Sequence, residues 1–247
     1  MSLKNYDNDI AVLIVSCDKY QDLWKPFFTL FFRYWQDCPY PIYLGSNHRI
    51  YADQRVKTIA VGDDKDWSSG FRKMLEQIPQ PYAILLLEDY LLKQRVDSDR
   101  IQALAAYMKR KMAGCLRLFP CPGPDVPCND NIDIGEILKG SDYRLSLQAA
   151  IWDKQVLLRL LVAGETPWQL EVRGSKRTDT METSFLSVKR NSDNNYPIPY
   201  FCTAVVRGKW VPDAVELCKK EGIRVGLNIR PLQTWYDRLK LFLGIVR

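Results

Sequence analysis

Two unbroken apolar runs, Ile10–Val15 and Ala83–Leu87, constrain this chain more than any other feature. A strand with one wet face alternates apolar and polar residues. A continuous run bounded by polar residues suits a strand buried on both faces, as in a parallel sheet covered by helices. Two helical patterns lie between the runs. Leu23, Trp24, Phe27, Phe28, Leu30, Phe31, Tyr34 and Trp35 form one, with Pro26 expected in its first turn, where a missing N–H costs nothing. Phe71, Met74, Leu75 and Ile78 form the other, closed by Pro79. With short strands expected at Ile42–Leu44 and Val56–Val61, the order strand, helix, strand, strand, helix, strand predicts a wound α/β sheet.

The second half reads less sharply. Asp97 or Ser98 caps an amphipathic helix carrying Ile101, Leu104, Ala105, Met108 and Met112 on one face. Cys115–Phe119 reads as a strand, and Pro120–Gly140, with four prolines and three aspartates, as a long loop. Tyr143–Leu147 reads as a strand, Ile151–Leu161 as a helix and Phe201–Val206 as a strand. Pro212 opens a helix over Asp213–Lys220, which Gly222 ends.

The net charge of +6 suits an anionic partner, but no basic stripe or known module points to nucleic acid. No apolar stretch follows Lys4, so no signal peptide is expected, and no run approaches the ~20 residues of a membrane span. A cytoplasmic protein with reduced thiols is the resulting expectation for the seven cysteines. Cys115, Cys121 and Cys128 lack the tight spacing of zinc sites, and His48 is the single histidine, which argues against zinc and against a Cys-His nucleophile.

Ligands of open α/β sheets bind beyond the carboxyl ends of the strands. The first long strand ends in Ser16-Cys17-Asp18 and the second in Glu88-Asp89-Tyr90, so carboxylates are expected along one crevice edge. The bland alternative is that these acids cap turns. The layout Ala11–Ser16, then Leu85-Leu86-Leu87-Glu88-Asp89, together with Trp67-Ser68-Ser69-Gly70-Phe71-Arg72, resembles the glycosyltransferase A fold. The pattern Pro167-Trp168-Gln169-Leu170-Glu171 is similar to one in bacterial polysaccharide-synthesis proteins of that type.

The resemblance implies one α/β domain over residues 1–230 with a mostly parallel central sheet. Residues 8–115 would form the donor-nucleotide half and 116–230 the acceptor half, with an amphipathic helix at 231–247. It implies a nucleoside diphosphate sugar as donor, contacted by Ser16, Cys17, Asp18, Ser68 and Arg72, with Glu88 and Asp89 beside the diphosphate and a manganese or magnesium ion. Asp89 is counted with the catalytic residues. The family's second aspartate falls at Tyr90, a substrate-side position here, which sets the metal in question. Metal-independent members use basic residues instead. Arg173, Lys176 and Arg177 supply such a cluster, or else an ordinary solvated face.

The acceptor implied is a glycan or a lipid-linked glycan, whose hydroxyl needs a base. Glu171 is the candidate, with Glu165 and Glu182 in reserve, and Trp168 offers a flat platform for a sugar ring. The competing reading is a helix begun at Pro167, with Trp168 in the core and Glu171 favoured by the helix dipole. Residues 232–247 mix apolar groups with Arg238, Lys240 and Arg247. They suit either a peripheral contact with the inner face of a membrane or a docked terminal helix. A nucleotidyltransferase would carry glycines after the first strand, and Ser16–Tyr20 has none. A catalytically silent relative that binds nucleotide, glycan or a partner enzyme is the remaining alternative.

Overall fold

The computed structural model describes residues 8–63, 65–201 and 203–237. In chain order the elements are β1 (Ile10–Val15), α1 (Gln21–Tyr34), β2 (Ile42–Ser46), β3 (Val56–Ala60), α2 (Trp67–Gln77), β4 (Tyr82–Leu87), α3 (Ser98–Arg110) and β5 (Cys115–Arg117). There follow β6 (Val126–Cys128), β7 (Asn131–Glu136), β8 (Ala150–Asp153), α4 (Lys154–Leu160), α5 (Pro167–Thr178) and β9 (Phe185–Val188). The last are β10 (Val205–Val206), β11 (Lys209–Trp210) and α6 (Pro212–Lys220). The chain divides into two compact units: Met1–Asp18 with Asp37–Leu87 and Val96–Pro199, and Lys19–Gln36 with Glu88–Arg95 and Tyr200–Arg247.

The first unit holds a nine-stranded sheet in the order β3-β2-β1-β4-β8-β5-β9-β7-β6. Its first four strands are parallel, with Ile10 to Val15 facing Tyr82 to Leu87 residue for residue. β8 enters antiparallel to both β4 and β5, and β9 lies parallel to β5. β1, β2, β3, β4, β5 and β9 therefore point one way and share a carboxyl edge. Both faces of the centre are sealed, as the unbroken runs require. Ala11, Leu13 and Val15 face a core shared with Phe71, Met74 and Leu75 of α2, Leu157 of α4 and Leu170 of α5. The alternate residues Ile10, Val12 and Ile14 are equally buried. Asp66 starts α2 by accepting from the Ser69 N–H at 2.9 Å, and Thr166 with Gln169 closes a reciprocal capping box at the start of α5, where Pro167 occupies the first turn.

The second unit contains α1, the β10–β11 hairpin and α6. Arg207 and Gly208 both adopt positive φ (52° and 74°), the conformation a two-residue hairpin turn demands. Arg33 of α1 pairs with the carboxylate of Glu221, and the Tyr34 hydroxyl donates to the same carboxylate at 2.7 Å. Pro26 sits inside α1 rather than in its first turn, so the Asp22 carbonyl goes without its helical donor.

Several expectations for the second half are corrected. Pro120–Gly140 is not structureless: β6 and β7 form an antiparallel pair within it. Tyr143–Leu147 is not a strand. Ile151–Leu161 divides into β8 and α4, because the Asp153 side chain caps the helix by accepting from the Val156 N–H at 2.9 Å. Of the described residues in Phe201–Val206, Val205–Val206 alone are strand. β9 was not expected at all. Of the helix expected at 231–247, residues 231–237 are described, and of these 235–237 are helical. Among the described residues no disulfide forms, and no helix is long and apolar enough to cross a membrane.

Candidate functional site

At the shared carboxyl edge, Asp18 does not stand open. Its Oδ1 accepts from the backbone N–H of Asn47 at 3.0 Å and of Arg49 at 3.2 Å, and its Oδ2 from that of His48 at 3.1 Å. The Asp18 N–H donates in return to Asn47 Oδ1 at 2.9 Å. Backbone groups that otherwise point at solvent are thus gathered on one carboxylate, and the loop after β2 is locked to the end of β1. Ser16 is buried and Cys17 half-buried at that end. His48 Nε2 lies 2.8 Å from Asp63 Oδ1, which ties the β2 and β3 ends together at the surface.

Glu171 reaches the same edge. Because β8 runs antiparallel, the residues just before Ala150 lie beyond the carboxyl end of β5, where the Leu118 N–H donates to the Ala149 carbonyl at 2.7 Å. Glu171 Oε1 accepts from the Leu147 N–H at 2.8 Å and from the Ser146 hydroxyl at 3.2 Å. Burial raises its carboxyl above the usual range, against the lowering effect of those two donors and of Arg117. A partly desolvated carboxylate with a raised pKa is the form a general base takes. Trp168 is 61% exposed, so it is no core residue.

The basic cluster on α5 splits. Arg177 makes a two-point ion pair with Glu165, Nη1–Oε1 2.9 Å and Nη2–Oε2 2.6 Å, and donates to the Leu160 carbonyl at 2.7 Å. Arg173 is 3.9 Å from the same carboxylate and 61% exposed, and Lys176 is exposed. Ser68 and Arg72, expected to meet nucleotide, have structural partners instead. The Ser68 hydroxyl donates to the Glu165 carbonyl at 2.9 Å, and Arg72 donates to the Leu158 and Leu161 carbonyls at 2.9 and 2.7 Å. These side chains hold α2, α4 and α5 together. Glu165 is committed likewise. Glu182 is exposed and pairs with Lys139.

In the second unit the acidic motif is also occupied. Thr203 donates to Asp89 Oδ2 at 2.5 Å, and the Ala204 N–H to the Asp89 carbonyl at 3.0 Å. Burial pushes the Asp89 carboxyl up, opposed by Thr203 and the backbone of Val205 and Ala204. Those donors are what a hydroxyl and amides offer, and a carboxylate held by them does not fit a cation ligand. Among the described residues no group of three or more His, Cys, Asp or Glu forms a metal-ligand set. Tyr90 is buried and stacked on Tyr200, centroids 4.5 Å apart. No sequence pattern marks Arg230, which is buried and bonded through Nε and Nη2 to both oxygens of Asp22 at 3.0 Å. It also lies over the Tyr20 ring at 4.4 Å, and Glu88 adds to the field that raises its pKa. A pair separated by 208 residues leaves no local pattern to read.

Neither a protein-family model nor a curated protein matches the sequence. Among solved structures the chain is similar to S. aureus TarS 1–349 in complex with UDP-GlcNAc, at 14% identity and a TM-score of 0.49, covering 95% of this chain and 71% of that one. TarS is a glycosyltransferase of the A-like type. A cytidylyltransferase from Leptospira borgpetersenii serovar Hardjo-bovis is similar to the same degree, at 11% identity and a TM-score of 0.49, over 93% of this chain and 100% of that one. In another TarS 1–349 structure the chain spans 63% of the neighbour's length, and in a longer TarS structure 43%. The structural neighbours are nucleotide-utilising enzymes of mixed α/β architecture.

Proposed function

We propose that this chain is a glycosyltransferase, moving a sugar from a nucleoside diphosphate sugar to a glycan or lipid-linked acceptor in surface polysaccharide synthesis. The observation that carries the reading is the carboxyl edge of the first unit. There a rigid backbone loop, 47–49 held by Asp18, and a desolvated carboxylate, Glu171, both stand beyond the strand ends. Such an edge is where open α/β sheets receive ligands.

In this reading the loop and Asp18 position the nucleoside, beside Ser16 and Cys17. Arg173 and Lys176 are the phosphate-facing cations, since Arg177 is spent on Glu165. Glu171 takes the proton of the acceptor hydroxyl as the new glycosidic oxygen bond forms, and the nucleoside diphosphate leaves with the electron pair of the broken bond. Trp168 offers its exposed indole to the acceptor ring. No step is routed through a metal.

A second reading, nucleotide binding without transfer, is favoured by one observation: Asp89 is sealed by Thr203 rather than open to ligand. The deciding experiment is a thermal-shift screen of nucleoside diphosphates and their sugars, followed by product analysis with oligosaccharide acceptors. Binding of the folded state raises the apparent melting point. Release of nucleoside diphosphate with a lengthened glycan supports the proposal. Pyrophosphate release would show nucleotidyl transfer, and stabilisation without any product would show a silent binder.

A further inference from the structure

The charge of the chain is not evenly distributed between the two units. The second holds 14 Lys and Arg against 7 Asp and Glu, which is +7, while the first stands at −1 of the chain's +6. The same unit exposes a concentrated apolar run: Leu227 at 45%, Ile229 at 66%, Leu232 at 41%, Trp235 at 76% and Tyr236 at 53%. Single exposed apolar residues need no explanation, but five within ten positions of chain make a concentrated apolar segment. Lys219, Lys220 and Arg224 are exposed just ahead of it.

The aromatic pair is held outward by its own local bonding. Thr234 donates its N–H and its hydroxyl to Asp237 Oδ2, each at 2.8 Å, and accepts from the Asp237 N–H at 3.2 Å. That reciprocal arrangement fixes the turn carrying Trp235 and Tyr236, whose rings meet edge to face at 6.0 Å. Two nearby carboxylates are engaged within the unit, while Glu216 on α6 is exposed. Asp237 pairs with Lys209 at 2.7 Å, and Glu221 with Arg33 and Tyr34. The segment therefore presents Trp, Tyr and aliphatic side chains together with the exposed cations Lys219, Lys220 and Arg224.

We infer that residues 219–236 dock the protein on the surface of an anionic lipid bilayer, with Trp235, Tyr236 and Ile229 entering the headgroup boundary and Lys219, Lys220 and Arg224 facing lipid phosphates. Trp and Tyr suit that boundary because one end of each ring is apolar and the other polar. Clustered Lys and Arg draw such a patch to anionic leaflets, and the two signals together give what neither gives alone. The inference stands apart from the glycosyl-transfer reading, because it needs neither nucleotide sugar nor acceptor.

The test is flotation of the full chain with phosphatidylcholine vesicles, with and without phosphatidylglycerol, in the absence of any nucleotide. Binding is expected only with the anionic vesicles, with a blue shift of Trp emission, and it should fall as salt rises. Ile229→Ser with Trp235→Ser should reduce the bound fraction about tenfold or more. Lys219→Glu with Lys220→Glu should do the same without touching an apolar residue. Ile132→Ser, which alters an exposed apolar side chain of the first unit, should leave binding unchanged. No flotation with anionic vesicles overturns the inference, as does equal loss in the Ile132 variant. A concentration-dependent dimer abolished by Trp235→Ser, without vesicle binding, would show that a second copy covers the patch instead.

Discussion

Glu165 is 3% exposed, yet both its carboxylate oxygens are met by one guanidinium, that of Arg177. Its carbonyl meanwhile accepts from Ser68 of α2, so one residue links two helices. Arg177→Ala leaves a buried carboxylate with only the more distant Arg173, 3.9 Å away, and is expected to cost about 3 kcal/mol in urea unfolding. Arg173→Ala, at an exposed position, should cost less than about 1 kcal/mol. The pair of variants separates roles that look alike in sequence. If Arg173 and Lys176 face phosphate, their double alanine variant weakens nucleoside diphosphate binding about tenfold at unchanged stability.

Asp18→Ala removes the acceptor that gathers the N–H groups of Asn47, His48 and Arg49. The loss is expected to be modest for the fold, about 1–2 kcal/mol, because these groups lie near the surface and water replaces the carboxylate. Nucleotide affinity should fall much further, since the loop is no longer held in one shape. Calorimetric titration beside a denaturation curve measures both. Affinity that falls only in step with stability would show that the loop meets no nucleotide.

For Glu171 two pH effects follow from its raised carboxyl. The folded state holds a proton more tightly than the unfolded chain, so stability falls as pH rises from the ordinary 4.5 through the raised folded value. Glu171→Gln should flatten that slope. If Glu171 is the base, the transfer rate climbs with pH across the same raised value, as the carboxylate loses its proton. Glu171→Gln should keep donor affinity and cut transfer by about 100-fold. Wild-type transfer by that variant would remove Glu171 from the mechanism.

Glu221 has the opposite sign. The Tyr34 hydroxyl and Arg33 hold its carboxyl below 4.5, so its contribution is present above that value and disappears as pH falls through the lowered folded pKa. Melting curves of wild type and Glu221→Gln should therefore differ at neutral pH and converge in acid. A gap that persists in acid would show that the effect is packing and not charge.

The legible parts of the sequence were those with a long, uniform environment. Ile10–Val15 is buried along its whole length and Ala83–Leu87 through Leu86, and their composition says so. β9 was missed because Phe185–Val188 is four residues long and contains Ser187, which stays buried by donating to the Val188 carbonyl. Pro127 hid the β6–β7 pair, since it lies on the sheet's edge strand, where no ladder donor is needed. Trp152 and Ile151 stand four and seven residues before Val156 and Leu158, a helical spacing, and only the Asp153 cap separates strand from helix. At the candidate site, sequence pointed to the strand ends but not to their partners. Whether Arg177 met phosphate or Glu165, and whether Asp18 was open or held by the loop after β2, was settled by tertiary approach.

The position of β8 has a consequence for how the chain is made. β4 and β5 never touch as neighbours: Ala150–Asp153 lies between them and pairs with both. During synthesis the first four strands emerge with one side of β4 unpaired, and it stays so until the chain beyond Asp153 has left the ribosome. An apolar strand with open N–H and C=O groups is a template for pairing with other chains. A fragment ended near residue 115 would keep that side open permanently and is expected to aggregate. The same geometry makes closing the sheet a late event, dependent on contacts distant along the chain, and such contacts slow folding. Newly made copies of this protein are thus most exposed to misassembly while α3 and the β6–β7 pair are already out and β8 is not.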